Sequence, residues 1–457
     1  MLNADEANAE PQPAPSAYEA LRSQFNAAVA HIYQQQGFTP AQLADEPVKG
    51  LINGIYKEFK EAISTGITLG GGMASQALQK LQTDVYVFSG MKTYAQLREA
   101  ANLMVQPGVN GGPATLKPYA QFEREALDIH QAYNVHHLRT EYHYAATTAQ
   151  NAARWAKYEA QKERYHLKYM TDNGPNVRPS HKALEGIVLP VDDPFWNQYA
   201  PKNGWNCHCY LEQVRIGEEP VSNSEEATKL GEAATTRLAK DGSNAEAMFR
   251  YNPGKQGVIF PPRHPYVRTK CGSNLSSAED NKCAAKKVVE RMAKDDVLKV
   301  AERRLEFEKY KADANYTDVK FDENTGGLKA THIDHSFPPK HGHYEKDARD
   351  ILYHAGNKII LEKELLRKGE KATGEKVIDG FLNDDSCDIS TILGTGKNTI
   401  KRALNHARGK SATVAVIYFP DESVYSTERW QASINMYNGQ TDYRFKKIVR
   451  IIGKNIK

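Results

Sequence analysis

The sequence predicts a multi-domain α+β protein: a mostly helical N-terminal half, then a loop-rich module with short strands, then a small C-terminal α+β domain. Three observations carry this. The text from residue 18 onward is helix-forming, with Phe25, Val29 and Ile32 at spacings of three and four. Beyond residue 174 Gly and Pro become frequent, and the bulky anchors Phe195, Trp196 and Trp205 lie close together. After residue 316 helix-like and strand-like stretches alternate.

Residues 1–17 (MLNADEANAEPQPAPSA) are too poor in apolar side chains to bury and are expected to form a flexible arm. Residues 18–118 form a helical region, broken by glycines 70–72 and by PGVNGGP at 107–113. Residues 119–173 hold neither Gly nor Pro and read as one long helix or a broken helical hairpin. They open a module that runs to residue 270. Residues 271–315 form a linker and a connector helix, with Val289, Met292, Val297, Val300 and Leu305 as its apolar stripe. In residues 316–457 the expected elements are a helix at YEKDARDILYHAG, a strand at KIILEKE, a short strand before DGF, a strand-like DIS, a helix at NTIKRALNHARG and a strand at VAVIYF.

Composition narrows the function classes. Hydrophobic residues at 40% and charged residues at 25% exclude a wholly disordered chain. The longest clean apolar run, VAVIYF, is far short of the ~20 residues of a membrane helix. No basic start followed by an apolar stretch marks a secretory signal, so no membrane partner is expected. Five cysteines, an odd number, argue against a closed disulfide framework and fit a reducing cytoplasm. The net charge of +4 does not by itself announce nucleic acid. The tail 444–457 holds six Lys or Arg and no acid, which suits either a phosphate backbone or the shielding of a strand edge.

Two constellations carry chemistry. Arg178, His181, Cys207, Cys209 and His264 include the thiolate and imidazole donors that Zn²⁺ prefers. A Cys-x-Cys cannot enclose a metal alone, so a structural zinc needs His181 and a fourth donor such as His208 or His264. The alternative is two buried thiols and a hydrogen-bonded His in a loop-rich core. Trp196, Pro201, Gly204 and Trp205 read as packing of that core. The second constellation is His335 with His332, Glu345, Ser390 and His406. Metal-free RNA cleavage needs a base for the 2′-hydroxyl, an acid for the leaving oxygen and a stabiliser of phosphate charge, and these residue types supply them. Solvated surface residues are the bland alternative.

Two stretches resemble known families. LRTE at 138–141, RPSH at 178–181, DDPFW at 192–196 and PKNGWNCHC at 201–209 resemble the phage Mu minor head protein F-like head morphogenesis proteins, over about 120–215; VFSGMKT at 87–93 extends the likeness upstream. His208 stands where that family usually has Arg. The resemblance implies a minor capsid protein that acts with portal and capsid proteins in head assembly and DNA packaging, located in the virion head.

Gly326, Gly327 and Leu328, HSF at 335–337, Tyr344 and Glu345, GNKIIL at 356–361, Asp379 with Gly380 and Asp388 with Ile389 resemble Barnase–EndoU–ColicinE5/D–RelE-like nuclease domains, over about 316–435. Such domains also end contact-dependent inhibition toxins as tRNases. This resemblance implies a metal-independent RNase, with RNA, tRNA in particular, as target, an immunity protein as partner and the host cytoplasm as site of action. Its catalytic set would be His335, Glu345, Ser390 and His406. Ser390 stands where many members have Lys; Lys376 or Lys397 would replace that cation, or the domain is degenerate and the chain purely structural. An ADP-ribosyltransferase tail is disfavoured, because Glu306 and Glu308 lie on the connector helix with no Ser-Thr-Ser upstream.

Overall fold

The computed structural model describes residues 11–108, 114–172, 174, 177–272, 276–323, 325–337, 339–363 and 377–456. Most of the proposed flexible arm, much of PGVNGGP, and Lys376 lie outside the described residues. The chain is an α+β protein that divides into two units, residues 1–297 and 298–457.

In the first unit, helix α1 (Pro15–Gln34) opens on Pro, whose missing N–H would be unpaired in a first turn anyway, and buries Leu21, Phe25, Val29 and Ile32. Helix α2 (Glu46–Gly70) stops at Gly71, whose φ of 96° is the left-handed cap that suits glycine. Helix α3 (Ser75–Leu103) follows, and the two-residue strands β1 (Val105–Gln106) and β2 (Thr115–Leu116) pair antiparallel. Helix α4 (Tyr119–Gln131) continues through a π-helical stretch, Ala132–His137, into α5 (Leu138–Ala160). Helices α2 and α5 pack very closely. A Cβ on Gly66 would lie 2.0 Å from the Ala146 carbonyl oxygen, and one on Gly70 2.6 Å from the Ala153 Cβ. Small residues set that separation.

The expectation of helix up to residue 173 is corrected here. Helix α5 ends at Ala160, and β3 (Tyr165–Met170) follows after a turn. Leu167 and Tyr169 are buried in alternation, the period of a strand. Strand β3 lies between β4 (Val188–Pro190) and β5 (Tyr210–Arg215), antiparallel to both. Short helices α6 (Pro179–Lys182) and α7 (Trp196–Tyr199) occupy the connections. Phe195, Trp196, Leu189, Tyr169, Cys207 and Cys209 share one core. The unit is completed by α8 (Ser224–Ala234), α9 (Pro253–Gln256) and α10 (Ser277–Ala293). Cys271 and Cys283 are disulfide-bonded across the start of α10, leaving Cys207, Cys209 and Cys387 as free thiols. The odd count therefore conceals one bonded pair.

The connector is two helices, separated by a π-helical stretch at Lys294–Leu298. Val289 and Met292 of α10 lie in the core of the first unit. In the second unit, α11 (Lys299–Ala312) packs Phe307 and Tyr310 against Leu328 and Ala330.

The second unit is one eight-stranded sheet with its strands in sequence order: β6 (Tyr316–Phe321), β7 (Leu328–His332), β8 (Lys358–Leu361), β9 (Gly380–Leu382), β10 (Asp385–Thr391), β11 (Val414–Phe419), β12 (Lys447–Ile452) and β13 (Asn455–Ile456). Pairs β7–β8, β10–β11 and β11–β12 are parallel. Each is spanned by a helix, as parallel pairing requires: α12 (Gly342–His354), α13 (Thr399–Gly409) and α14 (Thr427–Asn438). Strand β11 is buried along its whole length. Its Val414, Val416 and Tyr418 meet Ala348 and Leu352 of α12, while Ala415, Ile417 and Phe419 meet Ile400 and Leu404 of α13. The basic tail forms β12, an interior strand, and the two-residue β13 at the edge of the sheet; Arg450 donates to the Tyr425 hydroxyl at 2.6 Å.

Candidate metal centre and candidate catalytic site

The two halves of the Arg-x-x-His and Gly-Trp-x-Cys-x-Cys pattern meet in space. Arg178 precedes α6, and its Nη2 donates to the Trp205 carbonyl at 2.8 Å. Gly204 makes room for it: a Cβ there would stand 2.7 Å from Arg178 Nη1. One helical turn later, His181 Nδ1 lies 3.5 Å from Cys207 Sγ and 3.7 Å from Cys209 Sγ. All three residues are buried, and their donor atoms fall within 4.8 Å of one another. A hydrogen bond from Cys209, opposed by burial and helped by His181 and Lys202, holds the Cys207 thiol well below its usual range; the same bond and burial push Cys209 up. The three residues line a cleft of about 650 Å³ together with Arg139, His143 and Asp172.

His264 is not part of this group. It sits in the aromatic core of the helices, 4.5 Å from Tyr266, 5.0 Å from Phe88 and 5.8 Å from Trp205, ring centre to ring centre. Burial, with Lys92 and His137 adding to it, pushes its pKa down to about 3. His208 is exposed, its ring 5.6 Å from that of His143. The five candidates of the sequence thus reduce to His181, Cys207 and Cys209, with Arg178 as the residue that positions them.

In the second unit, the four expected catalytic residues form two pairs. His335 Nε2 lies 3.0 Å from Glu345 Oε1, and its Nδ1 lies 2.7 Å from the Glu362 carbonyl. Its side chain is 0% exposed, so the imidazole is enclosed and not offered to a substrate. Glu345 stands in the first turn of α12, where the helix dipole favours a carboxylate. The second pair is joined through a residue that sequence reading treated only as a landmark. Asp388, fully buried on β10, accepts from Ser390 Oγ at 3.2 Å and lies 3.2 Å from His406 Nδ1. His406 keeps its side chain 59% exposed.

The missing cation is also present. Lys410, just after α13, places Nζ 2.7 Å from Asp388 Oδ1 and 2.7 Å from Asp379 Oδ1. Asp379 also accepts the Ile389 N–H at 2.7 Å. Burial and the neighbouring Asp388 charge push Asp379 up to about 6, and Glu345 adds to that rise. Burial acts the same way on Asp388, but the His406 hydrogen bond and Lys410 outweigh it and hold this carboxyl down. The Asp388 hydrogen bond in turn raises His406. Asp379, Asp388 and Lys410 were missed because their separation in sequence hides a contact made only when β9, β10 and α13 pack. The available signal was acid residues beside Gly380 and Ile389 in strand-like text.

Comparisons with known proteins bear on the first unit. The family described as Phage Mu protein F like protein matches residues 57–212, from within α2 to β5. The Mu-like prophage FluMu F protein of Haemophilus influenzae is 38% identical over 78 residues, 17% of this chain and 19% of that protein. The putative capsid assembly protein F of Escherichia phage Mu is 36% identical over 73 residues, 16% of this chain and 17% of that protein. The matched stretch thus covers less than a fifth of either relative. No solved structure matches significantly. No helix among the described residues is long and apolar enough to cross a membrane. Residues 57–212, which carry Arg178, His181, Cys207 and Cys209, are thus the part of the chain that is similar to the Phage Mu protein F-like family.

Proposed function

We propose that this chain is a phage head-assembly protein that works with capsid and portal proteins and carries a phosphodiester-cleaving unit at its C-terminus. The match over residues 57–212, in which a relative is described as a putative capsid assembly protein, carries the first half. The test is mass spectrometry of heads purified from cells that make this chain together with the capsid and portal proteins of a Mu-like phage. A few copies per head are expected; a protein found free and absent from particles would refute the head role.

For the C-terminal unit the carrying observation is Lys410 held against Asp379 and Asp388 with the exposed His406 beside them. Lys410 is placed to neutralise a scissile phosphate, and His406 to move a proton at its free ring nitrogen, oriented by Asp388. His335 then positions Glu345, and is not itself the base. Both carboxylates are already neutralised by the Lys410 ammonium, which is the fixed cation the proposed step uses. The proposed RNase is metal-independent, with Lys410 as its stabiliser of charge. RNA, tRNA included, is the proposed substrate, and an immunity partner is its corollary. Incubating the full chain with total RNA and with duplex DNA tests the reading: cleavage of RNA supports it, and intact nucleic acid in both tubes supports a purely structural protein with a degenerate tail.

A further inference from the structure

We propose that His181, Cys207 and Cys209 bind one zinc ion, which pins helix α6 to the segment 201–209. The distances carry this. Zinc bonds of ~2.3 Å to sulfur and ~2.0–2.1 Å to nitrogen, at tetrahedral angles, put sulfur and nitrogen donors about 3.6 Å apart. The two sulfur–nitrogen separations here are 3.5 and 3.7 Å. The donor atoms of all three buried residues also lie within 4.8 Å of one another, so a single ion can reach them together. The two thiolates also balance the charge of the ion, and imidazole is its usual third donor.

The surrounding fold makes the same point. Residues 201–209 lie outside helices and strands, and the sheet beneath them has three short strands. Such a segment gains little from backbone ladders. It is instead held at two places on α6: the Arg178 bond to the Trp205 carbonyl, and the His181 contact with both sulfurs. Arg178 therefore orients the site before metal arrives, which lowers the ordering that binding requires. The donors line the cleft, so a fourth donor is taken from that side. His264, locked among Phe88, Trp205 and Tyr266, does not supply it.

Elemental analysis of the full chain, purified without chelator from zinc-supplemented cells, should give about one zinc per chain. Cobalt(II) added to chelator-stripped protein should produce the sulfur-to-cobalt charge-transfer absorption and intense visible bands of a tetrahedral thiolate site. Cys207→Ser and Cys209→Ser should each lose at least nine-tenths of the metal, while Cys387→Ser and His264→Ala keep it. Less than a tenth of an equivalent of zinc in wild type, together with no cobalt bands after stripping, would overturn the proposal. So would full zinc in Cys207→Ser. Should the serine variants fail to fold, the cobalt spectrum of the wild type decides alone.

Discussion

Lys92 of α3 and Glu141 of α5 form an ion pair sealed inside the first unit, the lysine side chain 0% and the glutamate side chain 5% exposed. Burial pulls the Lys92 pKa down and pushes the Glu141 pKa up, each opposed by the partner's charge. The pair joins the two helices through VFSGMKT and LRTE, both inside the family match. Removing one partner leaves the other charge buried and alone. Lys92→Met should therefore destabilise the first unit by about 3–5 kcal/mol, and the double variant Lys92→Met/Glu141→Leu should regain most of that. Chemical denaturation of the three proteins checks it; a Lys92→Met protein as stable as wild type would show that the pair is not a unit.

His264 makes the first unit sensitive to acid. Its pKa is about 3 when folded against 6.5 when exposed. Between those values the unfolded chain binds the extra proton, so this contribution to stability is complete above pH 6.5 and is lost as pH falls toward 3. His264→Phe removes that proton. Between pH 7 and pH 4 the wild type should lose about 3 kcal/mol more than His264→Phe, one pKa unit being worth about 1.4 kcal/mol. Tryptophan fluorescence during denaturant titration at the two pH values reads the difference, because Trp205 lies beside the ring. Equal losses would mean that the ring is protonated without penalty.

Local text was legible where one period dominated. VAVIYF is a strand because both faces are buried, and NTIKRALNHARG a helix because Ile400, Leu404 and Ala407 recur on one side. The strand Tyr165–Met170 was hidden because its neighbours lack Gly and Pro, and breaker residues were the boundary signal used. The metal candidates were legible from chemistry, yet only geometry separates His181 from His264. The catalytic candidates are arranged in space in a way the sequence does not show. His335 looked like a base from its motif, but burial encloses it. Asp379, Asp388 and Lys410 look unremarkable apart, because 22 positions of sequence separate Asp388 from Lys410 until α13 folds back.

Asp379 should give cleavage a pH limit. Its pKa is about 6, set by burial and by the Asp388 charge. Below that value it is protonated and can no longer hold Lys410 in place. Cleavage by the full chain should fall as pH drops through about 6, and Asp379→Asn should be slow at every pH with that limb abolished. A rate flat from pH 5 to pH 8 would remove Asp379 from the site.

Lys410 sets what Ser390 can become. A lysine at position 390 would enter beside Asp388, which Lys410 already neutralises at 2.7 Å. Two ammonium groups there repel each other, so Ser390→Lys should bring no gain in cleavage over the wild type. Lys410→Ala, by contrast, should lower it by about 10²–10³, the usual loss when a stabiliser of developing charge is removed. In Lys410→Ala the Asp388 carboxylate is left uncompensated, and Ser390→Lys added to it should then restore part of the rate. Gel assays of RNA cleavage by the wild type, the two single variants and the double variant make the comparison. Chelation belongs to the same series: EDTA should leave the wild type unchanged, while a loss in EDTA that excess Mg²⁺ restores would show that Lys410 and His406 do not carry the charge alone. A gain in Ser390→Lys with Lys410 intact would identify Ser390 as the lesion in a decayed site and displace Lys410 from the role assigned to it.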